Sequence, residues 1–191
     1  METINTDTQI VKHSLTAHEE QILGFQFEDF IKFFGDGSDG QKETPKRMLR
    51  MYGELLTATE PKITLFDNDN YDQMIVDKGI KFYTFCEHHV LPFFGEVTIG
   101  YIPNLKIIGL SKLARIVDYF SKRLNTQEFF TQNIANYLED KLQPSGVGVK
   151  VEALHLCKVM RGIKSSGNMI TSALKGVFLT EASARKEFMD L

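Results

Sequence analysis

The segment TFCEHHVLPFFG, residues 84–95, holds one of the chain's 2 cysteines and two of its 5 histidines within four positions. Cys86 and His89 are three apart, so at a turn or a helix start both side chains can face one centre. A thiolate beside an imidazole suits zinc. The pair alone does not decide the matter, because free cysteines are commonly buried and inert. The other cysteine also has a histidine beside it: in LHLC, His155 and Cys157 are two apart and share a face if the segment is a strand. Cys86, His89 and Cys157 would give three protein ligands and leave a fourth position open, which marks a catalytic zinc more than a structural one. Two core cysteines with partly buried histidines would produce the same string, and spacing leaves both readings open.

A second cluster is cationic. In IGLSKLARIVDYF, Ser111 is a natural N-cap, and Lys112 and Arg115 share a face roughly opposite Ile116, Val117 and Phe120. A helix start with free backbone N–H groups, a lysine and an arginine could bind phosphate. An ordinary cap on a solvated helix fits equally. In NTQEFF, Asn125 followed three residues later by Glu128 fits a capping box, which is a sufficient structural account of Glu128. Arg161 lies just past Cys157 in basic surroundings with Lys158 and Lys164.

These residues need elements to position them. The first 36 or so residues read as helical and amphipathic, with Ile22, Leu23, Phe27 and Phe30 among the apolar positions. GDGSDGQ is a loop. ETPKRMLRMYGELL reads as a helix with Thr44 as N-cap and Pro45 in the first turn. From about residue 62 the character changes, and KITLF, GIKFYTF and GEVTIGYIP read as strands. Two helices follow, one with a stripe of Leu113, Ile116, Val117, Phe120 and Leu124, the other with Phe130, Ile134, Leu138 and Leu142. VGVKVEALHLCKVM alternates as a strand through His155 and Cys157, and ITSALKGVFL holds a last strand. Strands, two helices and strands make an α+β pattern with an antiparallel sheet, preceded by an N-terminal helical region over residues 1–60.

Composition narrows the classes. A chain of 191 residues with 42% hydrophobic content can bury a sizeable core without disulfides, so a metal here serves function more than folding. No apolar run approaches a membrane span, and the polar N-terminus lacks signal-peptide character, so the expected location is the cytoplasm, with both cysteines as thiols. Residues 1–80 carry fifteen acids against eight bases, whereas residues 104–164 carry ten bases against five acids. A local basic excess in a chain of net charge −3 suggests a small anionic ligand, not a nucleic-acid groove.

In order and spacing, CEHHVLPFFGEVTIGYIP, IGLSKLARIVDYFSKRL, TQEFFTQNIA and EALHLCKVMRGI resemble the type I GTP cyclohydrolase family, and TPKRMLRMY and EPKITLF upstream fit it too. The resemblance covers about residues 42–188. It implies conversion of GTP and water to dihydroneopterin triphosphate and formate. It implies Zn2+ held by Cys86, His89 and Cys157, with His88, His155 and Ser111 as catalytic proton carriers. His155 as an imidazolium would protonate nitrogen 7 of the purine while a zinc-activated water attacks carbon 8. Gln127 and Glu128 match residues that hold the guanine edge. Lys112, Arg115 and Arg161 match triphosphate contacts, and Arg47 matches a further one that reaches a neighbouring subunit's site. The implied fold is the tunnelling fold, an antiparallel four-stranded sheet with two helices over residues 61–191, assembled as a decamer of two stacked pentamers. Gly167 and Met169 depart from the family's usual Ser/Thr-rich run. The competing readings are a non-catalytic GTP-binding protein and another tunnelling-fold enzyme, such as a nitrile reductase. The full set of candidate ligands and His155 argues against both.

Overall fold

Thr16 and Glu19 close a capping box on the first helix, α1 (Ala17–Phe34): Glu19 N donates to Thr16 Oγ1, and Thr16 N donates to Glu19 Oε2 at 2.7 Å. The computed structural model describes residues 15–191, so the earlier part of the expected N-terminal helical stretch lies outside the described residues. The chain divides into two units, Met1–Thr59 and Glu60–Leu191. In the first, α1 packs on α2 (Thr44–Leu55), and Phe27 stacks on Tyr52 at 5.8 Å. The α1 helix has no fully buried residue, and Phe33 is 81% exposed. Thr44 was expected as the α2 cap, but Glu43 takes that place and Thr44 is the first helical residue. Its hydroxyl is needed elsewhere, since Arg47 Nη2 donates to Thr44 Oγ1 at 3.0 Å and to Gly40 O at 2.7 Å.

The second unit runs β1 (Leu65–Asp67), β2 (Ile75–Cys86), β3 (Pro92–Ile102), β4 (Lys106–Ile108), α3 (Leu110–Ser121), β5 (Leu124–Asn125), α4 (Gln127–Leu142), β6 (Gly146–His155), α5 (Leu156–Val159), β7 (Met169–Gly176), α6 (Val177–Thr180) and α7 (Ala182–Met189). Its main sheet has the order β5-β2-β3-β6-β7, and β1 pairs with β4 in a separate ribbon. The four long strands are antiparallel, and the two-residue β5 pairs parallel to the end of β2. This is the α+β architecture with an antiparallel sheet that the patterning predicts, and the four long strands with two long helices are those the resemblance implies; the KITLF strand lies in the separate ribbon. No helix among the described residues is long and apolar enough to cross a membrane.

Alternation along the strands sorts their side chains. Val97, Ile99 and Tyr101 of β3 join Val149 and Val151 of β6 on one buried face. There α3 lies on β2, and α4 lies on β6 and β7. Ile116 and Val117 of α3 and Phe130, Ile134 and Leu138 of α4 are fully buried, as their helical spacing requires. Leu124 was expected to continue the α3 stripe but is 42% exposed, because α3 stops at Ser121 and Leu124 belongs to β5.

The opposite face is partly covered by α7. Gly100 of β3 stands across from Gly148 of β6, and the ring of Phe188 lies on both. A Cβ at Gly148 would come within 2.7 Å of Phe188 Cε1, and one at Gly100 within 2.7 Å of Phe188 Cδ2. The absence of side chains lets a fully buried aromatic ring rest on the sheet backbone. Gly148→Ala should therefore destabilise the protein by about 1–3 kcal/mol through overpacking. Gly24→Ala is the control, because a Cβ there meets nothing within 4 Å; it should leave stability unchanged or raise it slightly. Thermal melts of the two variants check this, and equal melting temperatures would refute the glycine seat.

Candidate metal centre

The sheet register brings the two halves of the site together. β2 pairs with β3 up to Phe85↔Pro92, and β3 pairs with β6 up to Phe93↔His155. The last residue of β2, Cys86, thereby meets the chain just beyond β6. A tight turn follows Cys86. Its carbonyl accepts from His89 N at 3.4 Å and from Val90 N at 2.9 Å, while Cys86 N donates to Leu91 O at 2.9 Å. Val90 closes the turn at φ +51°. That region is unfavourable for a β-branched residue, so strain of about 1–3 kcal/mol is stored beside the site. Glu87 N donates to Asn125 O at 3.0 Å, which ties the turn to β5.

One ligand atom each from Cys86, His89 and Cys157 lies within 4.8 Å of the others, close enough to hold one metal ion. Cys157 does not sit on the expected strand. β6 ends at His155, and Cys157 lies in the one-turn helix α5, so its approach to Cys86 depends on the strand-to-helix break and not on two-residue alternation. Cys86 is buried and Cys157 half-buried. Burial, and then the neighbouring Cys86 thiol, push the Cys157 thiol above its ordinary range. Two thiolates side by side repel, and a cation between them reverses that cost. The donor set therefore fits a metal and is electrostatically poor without one.

Other candidates surround this cluster. His88 is exposed, with Nδ1 3.6 Å from Cys86 Sγ. Arg161 Nη1 donates to His89 Nε2 at 2.7 Å. Lys158 Nζ donates to Gly167 O at 2.9 Å and so anchors the loop that carries the sequence departures. His155 is half-buried and stacks face to face on Phe93, with centroids 4.3 Å apart. Burial lowers its pKa, the Glu128 carboxylate opposes that shift, and Lys158 reinforces it.

Helix starts differ from expectation. The N-cap of α3 is Gly109, and Ser111 is an exposed second residue. The N-cap of α4 is Thr126, whose hydroxyl accepts from Phe129 N at 3.2 Å, so Asn125 and Glu128 form no capping box. Glu128 is left exposed in the first turn, free of a structural duty there. Among the described residues, Lys112 and Arg115 have no carboxylate partner, and no hydrogen bond or ion pair joins Ser111, Lys112 or Arg115 to the thiol cluster. Arg47 belongs to the other unit, where Gly40 and Thr44 engage it.

Gln127 is 1% exposed, and both ends of its amide are engaged inside the protein. Nε2 lies 3.1 Å from Val151 O, 3.0 Å from Met169 O and 3.1 Å from Thr171 Oγ1, while Oε1 lies 2.7 Å from His155 Nε2. The sequence reading singled out neither Phe93 nor Thr171. Alternation could have placed Thr171 inward on β7, but nothing in the string says that it meets Gln127.

The fold and site define an α+β protein with a thiol–imidazole–thiol cluster, able to hold a metal ion, where the central strands end. The model of the family described as GTP cyclohydrolase I matches residues 26–191. A relative named GTP cyclohydrolase 1 from Aquifex aeolicus (strain VF5) is 49% identical over 166 residues, 85% of this chain and 90% of that protein. Another of the same name from Sulfurihydrogenibium sp. (strain YO3AOP1) is 43% identical over 174 residues, 87% of this chain and 93% of that protein. The crystal structure of an archaeosine synthase, QueF-Like, in the apo form overlays with a TM-score of 0.44 at 18% identity, over 54% of this chain and 93% of that one. The chain belongs to the GTP cyclohydrolase I family, and its fold is the tunnelling fold.

Asn125 braces the metal-centre turn from behind. Its Nδ2 donates to Thr84 Oγ1 at 2.9 Å and Phe120 O at 3.0 Å, and the group is buried. Asn125→Ala should cost about 1–3 kcal/mol by leaving these acceptors unpaired. Denaturant unfolding checks it, and an unchanged midpoint would show that the brace carries no weight.

Proposed function

We propose that this chain opens the imidazole ring of GTP by hydrolysis, releasing formate and forming 7,8-dihydroneopterin triphosphate. The observation that carries the reading is the convergence of Cys86, His89 and Cys157 in a chain of this family. The mixture of two thiols and an imidazole suits Zn2+, and three protein donors leave a position for water. Bound zinc acidifies water and so supplies a hydrolytic nucleophile near neutral pH.

The remaining roles belong to side chains. Glu128, exposed and close enough to His155 to act on it electrostatically, accepts hydrogen bonds from the guanine N–H groups. Adenine lacks that donor pattern, so the wrong base would leave a carboxylate unpaired. His155 carries the proton that makes carbon 8 electrophilic, delivering it to nitrogen 7. His88 and Ser111 move protons in the later ring opening, ribose rearrangement and ring closure. Lys112, Arg115 and Arg161 answer the triphosphate charge, and unpaired cations at the α3 start support that reading. We assign Arg47 to the triphosphate of a neighbouring copy's site, in a cytoplasmic decamer of two stacked pentamers. The product feeds pterin and folate or 7-deazaguanine synthesis.

Purified metal-replete protein incubated with GTP should release formate and generate the dihydropterin absorbance. A chelator shown to strip the metal should abolish both. No formate from GTP would end the enzyme reading, and turnover that survives metal removal would end the zinc reading. Cys157→Ala should lose bound zinc and ring opening together. Stoichiometric zinc in that variant would mean that the third ligand is misassigned.

A further inference from the structure

The amide of Gln127 has only one orientation that its surroundings allow. Two of the neighbours of one amide end are backbone carbonyls, Val151 O at 3.1 Å and Met169 O at 3.0 Å. A carbonyl can only accept, so the NH2 group must lie at that end. The amide oxygen must then face His155 Nε2, 2.7 Å away. An amide oxygen can only accept as well, so His155 Nε2 must carry a hydrogen. The other ring nitrogen, Nδ1, has no hydrogen-bond partner among the described residues.

A hydroxyl relay holds the amide from behind. Thr131 Oγ1 donates to Gln127 O at 2.7 Å. With its only proton used there, Thr131 must accept in its 2.6 Å contact with Thr171 Oγ1. Thr171 therefore donates to Thr131 and offers a lone pair to Gln127 Nε2 at 3.1 Å. The two hydroxyl protons of this chain each have one place to go. The parallel stack on Phe93, 5° between planes, keeps the imidazole from tilting out of line.

We propose that Gln127, backed by Thr171, is a positioning residue that holds His155 as its Nε2–H tautomer, so that Nδ1 is the nitrogen that exchanges protons with the substrate. The proposal rests on the reading of His155 as the acid of GTP ring opening. In that step the imidazolium gives the Nδ1 proton to the purine nitrogen, the N–H bond of the ring breaks as the purine N–H bond forms, and the neutral ring keeps its hydrogen on Nε2. The tautomer left behind is the one Gln127 stabilises, so the proton leaves without the ring turning. The Gln127 NH2 group is taken up by Val151 O, Met169 O and Thr171 Oγ1 and its oxygen accepts from His155, which distinguishes this role from direct substrate contact.

The test has a spectroscopic arm and a kinetic arm. Metal-replete protein labelled with 15N-histidine is examined by long-range 1H–15N NMR, with His155 assigned by the signal lost in His155→Gln. At a pH where the ring is neutral, Nε2 should be the protonated nitrogen. A proton on Nδ1 instead would overturn the proposal. In the kinetic arm, Gln127→Met should lower kcat roughly 10- to 100-fold, the scale of a misplaced catalytic group, with zinc retained and KM for GTP changed by less than about 3-fold. A raised KM with unchanged kcat would assign Gln127 to guanine and sink the idea. Thr171→Val should lower kcat by a smaller factor, and Thr171→Ser should restore it. Equal activity of the two Thr171 variants would remove Thr171 from the mechanism. If the unaltered protein does not turn over GTP at all, the functional reading fails, while the tautomer measurement still decides the proposal.

Discussion

The site depends on the register between β2, β3 and β6. Cys86 and Cys157 are far apart in sequence, and neither carries information about the other locally. They meet because β2 ends against Pro92, the first residue of β3, while Phe93, the next, pairs with His155, the last of β6. A slip of one residue would turn every side chain on the slipped strand to the other face, removing Cys86 from the turn and His155 from Phe93. The buried alternation of Val97, Ile99, Val149 and Val151 makes such a slip prohibitive. A hydrophobic pattern with no chemistry of its own thus fixes the position of reactive groups at the strand ends.

Polar groups then set orientation where packing sets only position. Gln127 reaches from the first turn of α4 to the backbones of β6 and β7 and to the ring of His155. Asn125, two residues earlier, ties β5 to Thr84 and to the end of α3. Both side chains are buried at 1% exposure; Asn125 Oδ1 has no partner among the described residues, and losing the bonds that its Nδ2 and the Gln127 amide do make would cost about 1–3 kcal/mol each. Their bonds are therefore hard to rearrange, and the turn and the imidazole inherit that rigidity.

Much of this was legible because residue type and period carry it. Cys86, His89 and Cys157 are soft donors in a chain with few of them, and the α3 and α4 stripes announce two helices lying on a sheet. The failures share a physical cause. Cys157 was placed on a strand because α5 is four residues long, too short to show a helical period. Asn125, Ser111 and Thr44 were read as caps because each looks like one locally. Tertiary pairing moved the boundaries, since β5 takes Asn125 into the sheet and Gly109 hydrogen-bonds back to Thr64. The interior partners of the Gln127 amide include backbone carbonyls, which no sequence displays. The seat of Phe188 on Gly100 and Gly148 was invisible for the same reason, being a contact between a ring and the absence of side chains.

The main sheet is also unfinished in a way that bears on assembly. Among the described residues, β7 has a neighbour only on its β6 side, and β2 has β3 on one side and just two residues of β5 on the other. Tyr83 and Ile170, on these outer strands, are 66% and 59% exposed. Natural sheets protect such edges by charge, cover or pairing. Lys78 and Lys81 and the irregular register between Asp77 and Ile80 blunt part of β2, but β7 has no bulge and pairs regularly along its length. Pairing β2 of one copy with β7 of the next would satisfy both edges, and repetition of that contact closes a ring if the rotation allows. The cations at the start of α3 lack carboxylate partners within the described residues, which is the condition expected of groups reserved for a triphosphate. Open edges and unanswered charge are thus the features of the described residues that support the proposed assembly and the proposed triphosphate contacts.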